Sequence, residues 1–262
     1  MTDRLADLQA VLRPFDAAEI AVSGGVDSLT LAAAAHGVLG ARARMWHAVS
    51  PAVPPEATAR TRALAASRGW MLDVFDAGEF ADPRYRANPA DRCFFCKTNL
   101  YGAIAARAGG TILSGTNTDD LADWRPGLRA AEQHGVRHPF VEAGIDKATV
   151  RRLAARLGLG SVADLPAAPC LASRIETGIR VEADLLALVH RAERLVADAL
   201  APRTVRARLR AAGLVIELDP DALDRATPQR TALLASLAAL TDRPVSFAAY
   251  RAGSAFLREA AP

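Results

Sequence analysis

The chain has 262 residues, 51% of them hydrophobic and 23% charged, which is enough for one large domain with a smaller one appended and excludes fibrous and disordered classes. Its net charge of +3 is mild and its arginines are spread along the chain, so anionic small ligands suit it at least as well as nucleic acid. Three cysteines disfavour a disulfide framework and favour metal ligation or thiol chemistry, and no apolar stretch approaches the length of a membrane span. Met1-Thr2-Asp3-Arg4 opens without a basic stretch followed by an apolar run, so a cytoplasmic protein with no membrane partner is expected.

In chain order, Leu5, Leu8, Val11 and Leu12 recur at helical spacing, which predicts an amphipathic helix within 1–17 closed by Pro14. Ile20, Ala21 and Val22 form a short strand ending in Ser23-Gly24-Gly25, and Leu29 to Leu39 reads as an alanine-rich helix buried on most sides. Apolar runs at 45–49, 71–75 and 111–113 alternate with helical segments near 56–68, 97–108 and 147–157. That rhythm is the mark of a parallel sheet with crossover helices, so a doubly wound α/β fold is expected over residues 1–165. After a proline-rich link (Pro166, Pro169), the pattern becomes a helix near 182–199, strands at 204–209 and 214–218, a helix near 228–240 and a strand near 244–249. This predicts a smaller α+β domain over 166–262, with the boundary somewhere in 160–178.

Ser23-Gly24-Gly25-Val26-Asp27-Ser28 falls between a predicted strand and a predicted helix, where backbone N–H groups and the helix dipole attract anions. Two glycines let the backbone approach a phosphate, and Ser23 and Ser28 offer hydroxyl donors. Asp27 would repel phosphates unless Mg²⁺ bridges the two, which points to a metal-chelated triphosphate. The bland reading is a capped Gly-Gly turn. The string resembles the PP-loop signature of the ATP pyrophosphatase superfamily, and it lacks the Gly-Lys-Ser/Thr of a Walker motif. The resemblance implies cleavage of ATP between the α- and β-phosphates, transfer of AMP to a substrate oxygen, and a fold of the adenine nucleotide alpha hydrolase type.

Arg92-Cys93-Phe94-Phe95-Cys96-Lys97 is a Cys-x-x-Cys unit, and Cys170-Leu171-Ala172-Ser173-Arg174 carries the third cysteine. Cys-x-x-Cys serves zinc knuckles and redox pairs, and a lone cysteine is often an inert core residue. Three thiolates together also suit an iron–sulfur cluster with one iron left open. No glutaminase-like segment supplies ammonia, so sulfur is the expected second nucleophile.

These strings, together with Asn88-Pro89, Gly115-Thr116-Asn117-Thr118-Asp119-Asp120, Trp124-Arg125-Pro126-Gly127 and Tyr250-Arg251-Ala252-Gly253-Ser254, resemble consecutive signatures of the LarE family, sulfur transferases of nickel-pincer nucleotide cofactor biosynthesis. The resemblance implies adenylation of the carboxylates of a small-molecule substrate, pyridinium-3,5-biscarboxylic acid mononucleotide, and their conversion to thiocarboxylates. It implies a catalytic Cys170 that either gives up its own sulfur or joins Cys93 and Cys96 in holding a 4Fe-4S cluster supplied by sulfide or another donor; the three cysteines favour the cluster. It also implies a homo-oligomer, a trimer or hexamer. The alternative within the superfamily is a tRNA thiolase, which requires an extended basic surface.

Thr116, Asn117 and Asp120 follow the strand ending at Leu113 and are expected to position Mg²⁺ or ribose, the bland reading being an Asx-type cap. Trp124 and Arg125 could clamp a ring or a phosphate. In Thr204-Val205-Arg206-Ala207-Arg208-Leu209-Arg210 the period of two sets three arginines on one strand face, either a phosphate site or a solvated surface. The resemblance makes Arg206 and Arg208 phosphate ligands, with Glu217 a carboxylate facing the site and Arg174 a further substrate contact, although the sequence departs from the family pattern around 209–214. Lys147 reads as either a phosphate contact or a surface lysine, and the five histidines show no ligand spacing.

Overall fold

The computed structural model describes residues 3–122, 125–167 and 169–256. The chain divides into two compact units: the first is Met1–Asp82 with Cys93–Ala168, and the second is Pro83–Arg92 with Pro169–Pro262.

The first unit holds strands β1 (Ala18–Ala21), β2 (Ala43–Ala48), β3 (Met71–Phe75) and β4 (Thr111–Leu113) in the order β3-β2-β1-β4. All three pairings are parallel, with Ala18 beside both Ala43 and Thr111. Before and between these strands run α1 (Arg4–Leu12), α2 (Val26–Leu39) and α3 (Pro55–Arg68). After β3 come α4 (Pro83–Arg86), which belongs to the second unit, and α5 (Arg92–Ala105). Short α6 (Pro126–Gln133) and α7 (Pro139–Glu142) and then α8 (Lys147–Arg156) follow β4.

Alternation along the strands builds two cores, one on each sheet face. Ala18, Ile20, Ala43, Met45 and Leu113 pack with Leu8 and Leu12 of α1, the buried length of α2, and Val150, Leu153 and Ala154 of α8. Ala21, Trp46 and Ile112 pack with Tyr101 and Ile104 of α5 and Ala131 of α6 on the opposite face. The small side chains of Ala32 to Ala35 let α2 run between its neighbours while buried almost all round. Truncating the fully buried Leu29 or Leu31 to alanine would cost about 2–5 kcal/mol. On the second face, buried Glu19 accepts from Trp46 Nε1 at 2.6 Å and from the Gly110 amide at 3.3 Å, so the charge inside this core is hydrogen-bonded.

The second unit contains α9 (Ala183–Leu200), β5 (Val205–Arg210), β6 (Gly213–Leu218), α10 (Pro220–Ala226), α11 (Arg230–Ala238) and β7 (Val245–Ala249). β5 and β6 form an antiparallel hairpin, and β7 adds to β6 in parallel, giving a mixed sheet β5-β6-β7. Leu186, Val189, Ala192, Val196 and Leu200 form the buried stripe of α9, which packs on β5.

Residues 83–92 join this second unit through hydrogen bonds. Asn88 is fully buried with φ of +57°, and its Nδ2 donates to the carbonyls of Glu176 and Ile179, each at 2.8 Å. Its own carbonyl accepts from Gly178 at 3.0 Å, and the Val181 amide donates to Arg86 at 2.9 Å.

The expected strands all form, β3 and β4 at the expected bounds and the others shifted by one or two residues. The first helix stops at Leu12, before Pro14, and α5 starts at Arg92 rather than near 97, so Cys93 and Cys96 lie in its first turns. The Arg92 amide donates to the Pro89 carbonyl at 3.0 Å, closing the turn that starts this helix early. Among the described residues no helix is long and apolar enough to cross a membrane.

Candidate functional site

In the first unit the strand order reverses between β1 and β4, the place where open α/β sheets bind ligands. The Ser23–Ser28 loop leaves β1 at this point. Its hydroxyls brace it from inside: Ser23 N–H donates to Ser28 Oγ at 3.0 Å, the two hydroxyls lie 3.1 Å apart, and Ser28 Oγ donates to the Gly25 carbonyl at 3.2 Å. Gly25 is the N-cap of α2 and no side chain caps the helix, so the first-turn amides of Val26, Asp27 and Ser28 have no intrahelical acceptor. This is the geometry that favours an anion.

Gly24 is required for steric reasons. It has φ of +82°, and a Cβ there would sit 2.7 Å from the Ala57 carbonyl oxygen of α3. Arg60 Nη1 ties the Gly24 carbonyl to the same helix at 3.0 Å. Behind the loop, buried His47 bridges the Val22 carbonyl (2.8 Å) and Thr58 Oγ1 (2.9 Å), and burial holds its pKa below the ordinary value.

The loop after β4 lies against the first. A Cβ on Gly115 would fall 2.9 Å from both the Asp27 carbonyl carbon and the Ser28 nitrogen, so this approach also needs glycine. Asn117 is buried; its Oδ1 accepts from the Asp119 amide (3.1 Å) and its Nδ2 donates to Asp27 Oδ1 (3.3 Å). Asp120 accepts from the Asn117 amide at 3.1 Å and pairs with Arg125 at 2.8 Å, which completes a capping box on the 118–121 turn. Thr116 Oγ1 lies 3.1 Å from Ser114 Oγ, itself 2.8 Å from His138 Nδ1.

Lys147 opens α8 and pairs its ammonium with Asp27 Oδ2. Lys147, which the sequence offers as either a phosphate contact or a surface lysine, therefore stands at this site, and so does His138, which nothing in its local sequence placed there. Burial lowers the His138 pKa, against the raising influence of Glu142 and Asp120. Trp124 lies outside the described residues.

Cys93 and Cys96 are both half-buried, one turn apart on α5. Gly127 of α6 faces this turn; a Cβ there would meet Lys97 Cγ at 3.1 Å and the Cys93 carbonyl at 3.7 Å. The Lys97 ammonium lies 5.6 Å from the Tyr101 ring centre. Two adjacent thiols on one helix face are soft donors of the kind that iron or zinc takes. Among the described residues no group of three His, Cys, Asp or Glu side chains gathers to hold a metal ion.

In the second unit half-buried Cys170 precedes the 171–174 turn. Arg174 is almost wholly buried and forks onto Glu193 of α9, Nε to Oε1 at 2.8 Å and Nη2 to Oε2 at 3.1 Å. Its Nη1 donates to the carbonyls of Pro169 (2.5 Å) and Cys170 (3.2 Å) and to Ser173 Oγ (3.0 Å).

Arg208 is likewise buried. It donates to Glu217 Oε2 at 3.1 Å, to the Ser173 carbonyl at 3.0 Å and to the Arg251 carbonyl at 3.4 Å. Glu217 also accepts from Ser254 Oγ (2.6 Å) and Arg210 (3.1 Å). Burial pushes the Glu217 carboxyl up, but these hydrogen bonds and the Arg208 charge outweigh it and leave its pKa below the usual value. The arginine-bearing face of β5 is therefore neither solvated nor uniform: Arg174 and Arg208, expected to touch substrate, direct most of their donors at groups of their own unit. Arg206 donates to the Val205 carbonyl at 2.6 Å, and its guanidinium lies 6.0 Å from the Tyr250 ring centre. Burial, then the charge of Arg174, lowers its pKa.

A parallel sheet with helices on both faces and an anion-accepting loop at its strand-order reversal defines a Rossmann-like α/β protein. No family model matches the chain. It is 30% identical over 214 residues, 79% of its own length and 76% of the relative's, to pyridinium-3,5-bisthiocarboxylic acid mononucleotide synthase of Lactiplantibacillus plantarum. It is 37% identical over 229 residues (86% and 85% of the two chains) to the uncharacterized protein slr1717 of Synechocystis, and 31% identical over 93 residues (34% and 36%) to the uncharacterized protein MJ0830 of Methanocaldococcus jannaschii. The chain belongs to the family of pyridinium-3,5-bisthiocarboxylic acid mononucleotide synthase, the LarE family.

Proposed function

We propose that the protein is an ATP-dependent, AMP-forming sulfur transferase that converts the carboxylates of pyridinium-3,5-biscarboxylic acid mononucleotide to thiocarboxylates. The observation that carries the reading is the Ser23–Ser28 loop at the strand-order reversal, with uncapped first-turn amides on α2 and Asp27 held between Lys147 and Asn117. A PP-loop of this form cradles the β- and γ-phosphates of Mg-ATP on the α2 amides and the hydroxyls of Ser23 and Ser28. Asp27 would supply a hard oxygen for Mg²⁺, and Lys147 would supply the cation that offsets phosphate charge. Thr116, Asn117 and Asp120 shape the neighbouring wall.

A substrate carboxylate oxygen attacks the α-phosphorus, the bond between the α-phosphorus and its bridging oxygen breaks, and pyrophosphate leaves. A sulfur nucleophile then attacks the acyl carbon, the carbon–oxygen bond to AMP breaks, and AMP leaves. If Cys170 is that nucleophile, a thioester forms. Loss of the cysteine α-proton with cleavage of the Cβ–S bond then yields the thiocarboxylate and dehydroalanine. In the second route Cys93, Cys96 and Cys170 would hold a 4Fe-4S cluster, which when bound supplies a labile sulfide from an external donor. Arg206 is the residue we assign to the substrate phosphate. The reading includes a cytoplasmic homo-oligomer.

Purified protein incubated with substrate, Mg-ATP and sulfide should release pyrophosphate and AMP in equal amounts, and the product mass should show oxygen exchanged for sulfur. Pyrophosphate release independent of the pyridinium compound, or none under any substrate, rejects the assignment.

A further inference from the structure

We propose that Arg174 and Arg208 act as positioning residues, a two-guanidinium clamp that fixes the backbone of residues 169–173 and with it the direction of the Cys170 side chain. The inference rests on the reading of Cys170 as the sulfur-transfer residue for its purpose, but not for its geometry.

The peptide units on both sides of Cys170 are held by one guanidinium. Arg174 Nη1 donates to the Pro169 carbonyl at 2.5 Å, which fixes the peptide entering Cys170, and to the Cys170 carbonyl at 3.2 Å, which fixes the one leaving it. The Cys170 carbonyl also accepts from the Ser173 amide at 3.0 Å. Neither peptide plane can rotate without losing a bond, so φ and ψ of Cys170, −55° and 154°, are determined by a side chain four residues away.

That side chain is itself held at its other end. Its Nε and Nη2 form a two-pronged pair with Glu193, and Glu193 Oε1 also accepts from the Ala207 amide of β5 at 3.1 Å. The far end of the turn is closed by Arg208, whose Nη1 donates to the Ser173 carbonyl at 3.0 Å while its Nε rests on Glu217 at 3.1 Å. Two buried carboxylates on two different elements, α9 and β6, thus hold two arginines on one five-residue segment. A lysine cannot replace either arginine, because a single ammonium cannot grip a carboxylate with two prongs and reach peptide oxygens on its other side. A thiol that must meet an activated acyl carbon tolerates little misplacement; about 1 Å costs on the order of a hundredfold in rate.

The test uses full-length protein with Cys93 and Cys96 replaced by serine, so that Cys170 is the one thiol, and compares Arg174→Lys and Glu193→Gln with that parent. Backbone amide exchange read by mass spectrometry and the rate of Cys170 alkylation by iodoacetamide are followed together. The expected result is faster exchange at 170–174 and severalfold faster alkylation, with exchange in α9 and in β5 unchanged except at the Ala207 amide, which Glu193 itself accepts. In protein retaining all three cysteines, either substitution should lower thiocarboxylate formation at least tenfold while leaving the ATP KM for pyrophosphate release unchanged. Unchanged exchange at 170–174 and unchanged alkylation in both variants overturn the clamp; so does a loss of protection spread over the whole second unit in both, since that marks a general structural role. If the parent protein makes no thiocarboxylate at all, the functional reading fails while the exchange and alkylation results still decide the clamp.

Discussion

Lys147 and Asp27, 120 residues apart in sequence, form an ion pair beside the Ser23–Ser28 loop, and Asn117 occupies the second carboxylate oxygen at 3.3 Å. The pair is about one-third exposed on each side, so its worth to folding is modest, about 0–1 kcal/mol. Its importance is local: without the ammonium, the aspartate charge stands uncompensated where an anion is to bind. Lys147→Ala should therefore raise the KM for Mg-ATP about tenfold or more, equivalent to about 1.4 kcal/mol, with little change in thermal stability. Pyrophosphate release measured against ATP concentration checks this, and an unchanged KM removes Lys147 from the site.

Gly115→Ala places a methyl group 2.9 Å from the backbone of Asp27 and Ser28, which no side-chain rotation relieves. The cost should be about 1–3 kcal/mol of stability, and the two loops should separate enough to weaken ATP binding more than the thermal midpoint suggests. Paired calorimetric titration with ATP and thermal melts of the variant would reveal the disproportion; equal, small effects would mean that the loops yield freely.

The Glu217 carboxyl titrates below its usual range in the folded protein, because its hydrogen bonds from Ser254 and Arg208 outweigh burial. A group whose folded pKa is depressed adds stability above its unfolded pKa, and that stability is lost as pH falls through the folded pKa. Wild-type protein should thus exceed Glu217→Gln in urea stability at neutral pH, by about 3–5 kcal/mol for a broken buried pair, with the gap closing in acid. Urea midpoints from pH 7 down to about pH 3 test the sign; a gap that widens in acid contradicts it.

If Cys93, Cys96 and Cys170 together bind a cluster, anaerobically reconstituted protein should be brown and contain iron and sulfide, and Cys93→Ser or Cys96→Ser should lose both. Iron and sulfide assays on the three single variants decide the matter. Colourless, iron-free wild-type protein leaves the direct use of the Cys170 sulfur, which mass spectrometry would show as conversion of that residue to dehydroalanine.

The strands of the parallel sheet were legible because buried strands read as short apolar runs, and the loop after β1 because its glycines and serines are contiguous. The α9 helix was legible from its apolar stripe, but Glu193 within it looked like any other helix-surface charge. Only its partner Arg174, 19 residues earlier, makes it a buried anchor. The alternation of arginines along β5 was read correctly as a common face. What it could not tell was that Ser173, Glu217 and Arg251 cover that face and divide its members, with Arg208 enclosed and Arg206 turned toward Tyr250. Pairings of this kind join residues from 9 to 120 positions apart, as Arg208 with Glu217 and Lys147 with Asp27 illustrate, and no local pattern encodes them.

The ten residues from Pro83 to Arg92 leave the first unit, contribute Asn88 to the second and return, so the backbone passes between the units three times, at 82/83, 92/93 and 168/169. No single scission can separate two self-sufficient fragments. A fragment ending at 168 keeps the Asn88 amide but loses its acceptors at Glu176 and Ile179, and a fragment starting at 169 keeps the acceptors without their donor. The second unit is therefore bound to the chain that encodes the first, and it cannot be shuffled, truncated or expressed from residue 169 onward without leaving part of its interior behind.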